Sequence, residues 1–271
     1  MTKQSFEVLA SELQKDLDTR SARRVFVERR GPNSIDEAYR LQRALRAFRE
    51  TRGEEVIGFK IGYTSAAIRE RGIGTMGLSQ SVHGYLWNSE SYVNGSEIDF
   101  RRLGIEGELG VKLISTHGDD VANWEVEFEP IIEIHMLGWD GPSEDNQGRR
   151  GLELIGTNCI HAGVVHCKET KRCLLGDIPL NIPMAVFSDG NQLEQVTLRE
   201  LEIEGVYGPV ATISWLLRTL KIENNGDDRL LRSGATVICS TPGNVYPIPA
   251  GANVKVEFAG LETSCLATKQ E

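Results

Sequence analysis

Three glutamates and one lysine stand out in this sequence because each falls inside an apolar run. The segment Gly104-Ile105-Glu106-Gly107-Glu108-Leu109-Gly110-Val111 enters an extended stretch, where residues two apart project to one face. Glu106 and Glu108 are therefore expected side by side. Adjacent like charges repel unless they share a proton or a cation, and a divalent ion that prefers oxygen satisfies both. Glu133 lies within Pro130-Ile131-Ile132-Glu133-Ile134-His135-Met136-Leu137. A carboxylate there is costly to bury unless it faces a metal, a cationic partner or water. Three carboxylates on adjacent strands would make an oxygen-rich site for Mg²⁺ or Mn²⁺, with positions left open for substrate and water. The alternative is an amphipathic strand whose glutamates face solvent, as expected of Glu97 and Asp99. His135 shares the face of Glu133 and could ligate a metal or orient a ligand, although a core or surface histidine is the more ordinary reading.

Lys60 occupies a similar position in Val56-Ile57-Gly58-Phe59-Lys60-Ile61-Gly62-Tyr63-Thr64-Ser65. A partly buried lysine needs a carboxylate or an anionic ligand, and this one could hold a substrate carboxylate or polarise a ketone oxygen. A structural salt bridge or a snorkelling side chain explains it equally well.

The elements that must position these groups follow from periodicity. Residues 1–53 read as helical: Phe6, Leu9, Leu13 and Leu17 recur at helical spacing, as do Ala38, Leu41, Leu45 and Phe48. Ser34 with Glu37 predicts a capping box, and Gly53 a stop. Residues 54–271 read as a sheet or roll. Short extended runs appear at 56–61, 109–114, 130–136, 162–165, 237–239 and 254–258, separated by turn pairs such as Asn94-Gly95, Asp140-Gly141 and Asp189-Gly190. One helix is expected to interrupt them, from about Pro209 to Lys221, with Val210, Ile213, Leu217 and Leu220 inward.

Composition narrows the class. A chain of 271 residues that is 40% hydrophobic can bury a core. Its net charge of -9 repels nucleic acid and anionic membranes at long range, so neither partner is expected. Lys3, Glu7 and Glu12 break the apolar stretch a signal peptide needs, and no apolar run is long enough to span a bilayer, so a cytoplasmic location is expected. The five cysteines, Cys159, Cys167, Cys173, Cys239 and Cys265, read as reduced thiols, several of them buried. A zinc site built from Cys159, Cys167 and Cys173 with His161 or His166 fits no zinc spacing.

The order of these segments resembles a known group. Gly58 to Ser65, Ile105-Glu106-Gly107-Glu108-Leu109 and Ile131-Ile132-Glu133-Ile134 are similar to the 2-keto-4-pentenoate hydratase and 4-oxalocrotonate decarboxylase branch of the fumarylacetoacetase-like superfamily. Gly156-Thr157-Asn158, Gly208-Pro209-Val210, Leu231-Arg232-Ser233-Gly234, Ser240-Thr241 and Pro249-Ala250-Gly251 extend the likeness over about residues 5–265. The resemblance implies an α+β fold, a mixed β-roll with a helical N-terminal layer, in a homo-oligomer. It also implies Mg²⁺ or Mn²⁺ held by Glu106, Glu108 and Glu133, Lys60 as the catalytic lysine, and a substrate pocket drawing on Thr64, Ser65, His83, Asn158 and Ser240.

The activity implied is that of a metal-dependent lyase on a small 2-oxo or 2-hydroxydienoate acid, hydratase-like first and 2-oxo-3-hexenedioate decarboxylase-like second. Hydratases of that group carry a Pro-Asp-aromatic-Gly segment whose Asp takes part in proton transfer. Here Gln80-Ser81-Val82-His83-Gly84 puts Val82 at that position. Valine cannot move a proton, and decarboxylases of the group commonly have an apolar residue there, so Val82 shifts weight toward decarboxylation or toward a chemistry neither name describes. His83 could act as a replacement base, although its strand position would point it the other way. Hydrolysis of a 1,3-diketone acid would need a His with a carboxylate near the N-terminal part of the roll, and only His83 stands there. A non-catalytic partner subunit is the third alternative. Arg149, Arg150 and Lys168 could meet a distal carboxylate, with surface charge the plainer reading.

Overall fold

The computed structural model describes residues 3–20, 24–27, 31–118, 120–137, 149–223, 226–240 and 243–268. The Asp140-Gly141 turn and Thr241 lie outside them. Helices α1 (Lys3–Asp18), α2 (Arg24–Val27) and α3 (Ile35–Thr51) come first. Their apolar positions meet as the spacing predicts, with Phe6, Leu9 and Leu13 packed on Leu41 and Leu45. Ser34 Oγ accepts the Glu37 N–H and so caps α3. The other half of the expected capping box is displaced, since Glu37 Oε2 accepts the N–H of Asn33, one residue earlier than the cap. Gly53 follows the helix with φ 84°, the left-handed stop expected of it.

After α3 come β1 (Val56–Gly62), α4 (Ala66–Met76), β2 (Val82–Trp87), β3 (Ser91–Tyr92), β4 (Ser96–Asp99), β5 (Leu103–Ser115) and β6 (Glu125–Met136). Next are α5 (Arg150–Gly156), β7 (His161–Val165), β8 (Lys171–Leu174), β9 (Pro183–Ser188), β10 (Asn191–Thr197), β11 (Glu202–Ile203) and β12 (Val206–Tyr207). The chain continues through α6 (Gly208–Glu223), β13 (Thr236–Ile238), β14 (Tyr246–Pro247), β15 (Asn253–Phe258) and β16 (Leu261–Thr268). Two helices, α4 and α5, were not expected. The α4 segment has no clear apolar stripe and carries Gly72 and Gly74, which weaken its helical signature, while α5 is only two turns long.

The large mixed sheet runs β2-β1-β13-β5-β6-β7-β3, with β14 also on β5 and β8 also on β6. A second sheet, β10-β9-β15-β16-β4, packs against one face of it, and β11-β12 forms a ribbon. The alternation along β5 makes both packing and site possible. Ile105 and Leu109 enter the main core with Ile132 and Ile134 of β6, while Glu106 and Glu108 point to the opposite, inner face. Between the two glutamates, a Cβ at Gly107 would come within 2.4 Å of Val186, so glycine is what lets the second sheet close on β5. The inner face also carries an aliphatic plug of Leu86, Ile131, Val164 and Ile238. Asp99 does not face water as expected; it is drawn into ion pairs with Arg20 and Arg101. The five cysteines are free, three of them buried. Among the described residues no helix is long and apolar enough to cross a membrane.

Candidate metal centre and cavity

Strand register builds the site. The β5–β6 ladder places Glu106 opposite Glu133, Glu108 opposite Ile131, and His135 opposite Gly104. Strand β13 links β5 to β1, pairing Ile238 with both Gly110 and Lys60, which brings the lysine onto the same inner face. Lys60 Nζ lies 2.7 Å from Glu133 Oε1. His161 Nδ1 lies 2.8 Å from the same oxygen. His135 Nε2 is 3.0 Å from Glu106 Oε2 and 3.6 Å from Glu133 Oε2. One ligand atom each from Glu106, Glu133 and His135 lie within 4.8 Å of one another. His135 thus stands among the carboxylates instead of in the core or at the surface. Glu108 is their neighbour on β5 but is not in that closest set. Among the described residues no such group includes a cysteine.

The electrostatics are out of balance. Three carboxylates meet one lysine, with Glu133, Glu108 and Lys60 0%, 2% and 4% exposed. Burial alone would raise Glu133, but Lys60, His135 and His161 outweigh it and hold the carboxyl well below the usual range. Burial likewise acts to lower Lys60, yet Glu133 outweighs it and the ammonium is held above the ordinary lysine value. Glu108 goes the other way: burial, then the charges of Glu133 and Glu106, push it well above the carboxylate range. Glu108 Oε2, Glu133 Oε2 and both His135 nitrogens are buried without a hydrogen-bond partner. His135 Nε2 is close to Glu106 but not aligned for a hydrogen bond. Orphaned oxygens and a nitrogen converging on surplus negative charge fit a divalent cation of the Mg²⁺ or Mn²⁺ type.

A cavity of about 400 Å³ opens onto this cluster, within the size range of small-molecule sites. Lys60, Glu106, Glu108, His135 and Ser240 form its polar wall; Ile68, Met76, Val82, Leu154, Ile160 and Val245 form much of the rest. Ser240, with φ 69°, is the expected pocket residue that lines it. The other four do not. Ser65 is spent as the N-cap of α4, its Oγ accepting the Ile68 N–H at 3.1 Å. Thr64 is fully buried behind the wall. Asn158 uses both ends of its amide on Tyr85, donating to the carbonyl at 2.8 Å and accepting the N–H at 2.7 Å. That tie anchors a left-handed turn, with φ between 54° and 58° at residues 158–160, which brings the Cys159 carbonyl to 3.4 Å from Lys60 Nζ. His83 follows Val82 on β2 and so faces the other side, stacked 4.7 Å from Tyr39 with Nε2 3.2 Å from Glu223. It has a carboxylate partner, but away from the cavity. Arg149 donates to the carbonyls of Gly31 and Pro32, and neither it nor Arg150 nor Lys168 lines the cavity.

His161 is the site residue that sequence reasoning missed. A register shift between β6 and β7 brings it onto the inner face, and nothing in the local pattern announces that shift.

No protein-family model matches the sequence. Solved structures do match the fold. 4-Oxalocrotonate decarboxylase from Pseudomonas putida G7, complexed with magnesium and adipate, superposes with a TM-score of 0.79 over 98% of each chain at 18% identity. The chain has the fumarylacetoacetase-like fold. Another complex of the same decarboxylase, with calcium and acetate, gives a TM-score of 0.77 at 18% identity over 98% of each chain. Fumarylpyruvate hydrolase from Pseudomonas aeruginosa, in complex with Mn²⁺ and pyruvate, shares the fumarylacetoacetase-like fold more distantly, with a TM-score of 0.51 and 15% identity over 78% of this chain and 89% of that one.

Proposed function

We propose that this chain is a divalent-metal-dependent lyase of the 2-keto-4-pentenoate hydratase and 4-oxalocrotonate decarboxylase family, acting on a small 2-oxo or 2-hydroxydienoate acid. The observation that carries this reading is the surplus of buried carboxylate on a cavity wall beside one lysine. It is supported by the complexes of structures sharing the fold, which hold magnesium with adipate and Mn²⁺ with pyruvate. Glu106, Glu133 and His135, with Glu108 beside them, would hold the ion. A bound divalent ion supplies Lewis-acid polarisation of a 2-oxo oxygen.

The chain's own residues do the rest. Lys60 remains protonated because Glu133 outweighs its burial, so it acts as a fixed positive charge for a substrate carboxylate or for the oxygen on which negative charge develops. The apolar wall formed by Ile68, Met76, Val82 and Leu154 keeps water from part of the cavity. Val82 on that wall supplies no proton-transfer group where a hydratase would have one. Decarboxylation is therefore the first reading: the electron pair of the breaking carbon–carbon bond passes along the conjugated chain to the 2-oxo oxygen as CO₂ leaves. Hydration is the second, in which water adds to the distal carbon of the ketonised substrate with a general base assisting. The division into a helical region, 1–53, and a catalytic roll, 54–271, and assembly as a homo-oligomer in the cytoplasm belong to the same proposal.

The test is to incubate the protein with Mn²⁺ and, separately, 2-oxo-3-hexenedioate and 2-hydroxypenta-2,4-dienoate, following absorbance and CO₂. Metal-dependent CO₂ release from the diacid is expected. Loss of the dienoate without CO₂ would replace decarboxylation by hydration, and silence with both despite bound Mn²⁺ would favour a non-catalytic subunit.

A further inference from the structure

His161 is fully buried and takes no part in the mechanism above, yet it touches the residue on which the site turns. Its Nδ1 lies 2.8 Å from Glu133 Oε1, an oxygen already 2.7 Å from Lys60 Nζ. Two donors therefore converge on one carboxylate oxygen. The other, Oε2, is buried with no hydrogen-bond partner and lies 3.6 Å from His135 Nε2. A carboxylate fixed at one oxygen cannot rotate its second one away, so the free oxygen is presented to the group formed with Glu106 and His135.

We infer that His161 is a positioning residue, which orients Glu133 so that its free oxygen faces the cation site; this rests on reading Glu133 as a metal ligand. The backbone is shaped for the purpose. Along β6 and β7, Glu133 pairs with Val164 and Ile134 with Gly163, but His135 pairs with His161, so Ala162 is the extra residue of a β-bulge. In an unbroken ladder Ala162 would stand opposite His135 and His161 would point to the sheet's other face. The bulge reverses that parity and aims the imidazole at Glu133, the re-aiming for which bulges beside active sites are known. The second ring nitrogen, Nε2, is buried without a hydrogen-bond partner, 4.0 Å from Glu90 Oε2, while Glu90 itself pairs with Arg49 of α3 at 2.8 Å.

The experiment measures Mn²⁺ binding by calorimetry on the full chain, for the wild type and for His161→Phe, His161→Asn and Glu133→Gln, with circular dichroism to confirm folding. Phenylalanine keeps the ring and removes the donor; asparagine shortens the side chain but keeps an N–H near the place of Nδ1. The expected result is about 10- to 100-fold weaker binding for His161→Phe, with His161→Asn within about threefold of the wild type. His161→Leu takes the place of the phenylalanine variant if that one does not fold. Normal binding by His161→Phe, or loss in His161→Asn alone, would overturn the positioning role while the Glu133→Gln loss keeps the metal reading standing. A wild type that binds no Mn²⁺, or a Glu133→Gln variant that binds as well as it does, would overturn the metal reading and the inference with it.

Discussion

Two groups of buried charge in this protein are built on opposite principles. At Asp227 both carboxylate oxygens have partners: one meets the Arg46 guanidinium, and the other accepts the Tyr85 hydroxyl at 2.5 Å. Arg46 in turn pairs with Glu50 at 2.8 Å and lies 5.2 Å over the Tyr85 ring. That group pins α3 to β2. On the inner face of the sheet, by contrast, Glu106, Glu108 and Glu133 share one lysine, and oxygens of Glu108 and Glu133 are left without partners. A buried carboxylate with both oxygens partnered holds the fold together, whereas one left with a free oxygen is tolerated where a ligand completes it.

Breaking the fully partnered group should give the largest effect on stability. Asp227→Ala leaves the buried Tyr85 hydroxyl without its acceptor and the Arg46 guanidinium with Glu50 as its remaining carboxylate, and is expected to lower unfolding free energy by about 2 kcal/mol in urea titrations. Mn²⁺ affinity should be unchanged. Lys60→Met attacks the other group at its one lysine. Turnover should fall about 100-fold, the scale of losing one preorganised charge, while Mn²⁺ affinity changes much less; an unaffected rate would reduce Lys60 to a structural partner of Glu133. The smallest effect has the opposite sign. Glu108→Gln removes one of three crowded carboxylates, so the metal-free protein should gain about 1 kcal/mol even as Mn²⁺ binding is lost. Because Glu108 is held above its unfolded value, the metal-free wild type loses stability as pH rises through and above the ordinary carboxylate range. Glutamine has no proton to lose, so its advantage should widen over that window, as thermal melts in a chelator can show.

The contrast also explains what could be read in the sequence. Glu106, Glu108 and Glu133 could be found because a strand's two-residue period and an apolar setting are local signals, and Lys60 for the same reason. His135 could be placed on the face of Glu133, but not weighed as a ligand, since that depends on the β5–β6 register. The resemblance puts Ser65, Asn158 and His83 in the substrate pocket, whereas none of the three lines the cavity. What decides them is a helix that starts at residue 66, a tie to Tyr85 and the parity of β2. His161 was out of reach, since a bulge that reverses side-chain direction leaves no periodic trace. The roll and the helical layer were recognisable from apolar spacing; α4 was not, with two glycines in place of an apolar stripe.

The most direct test of the central claim is the anomalous scattering of manganese in crystals grown with Mn²⁺. The account predicts one strong peak on the inner face between Glu106, Glu133 and His135, at coordination distance from the free Glu133 oxygen, with Glu108 turned toward it. Absence of a peak there under saturating Mn²⁺, or a peak only elsewhere on the protein, would contradict it.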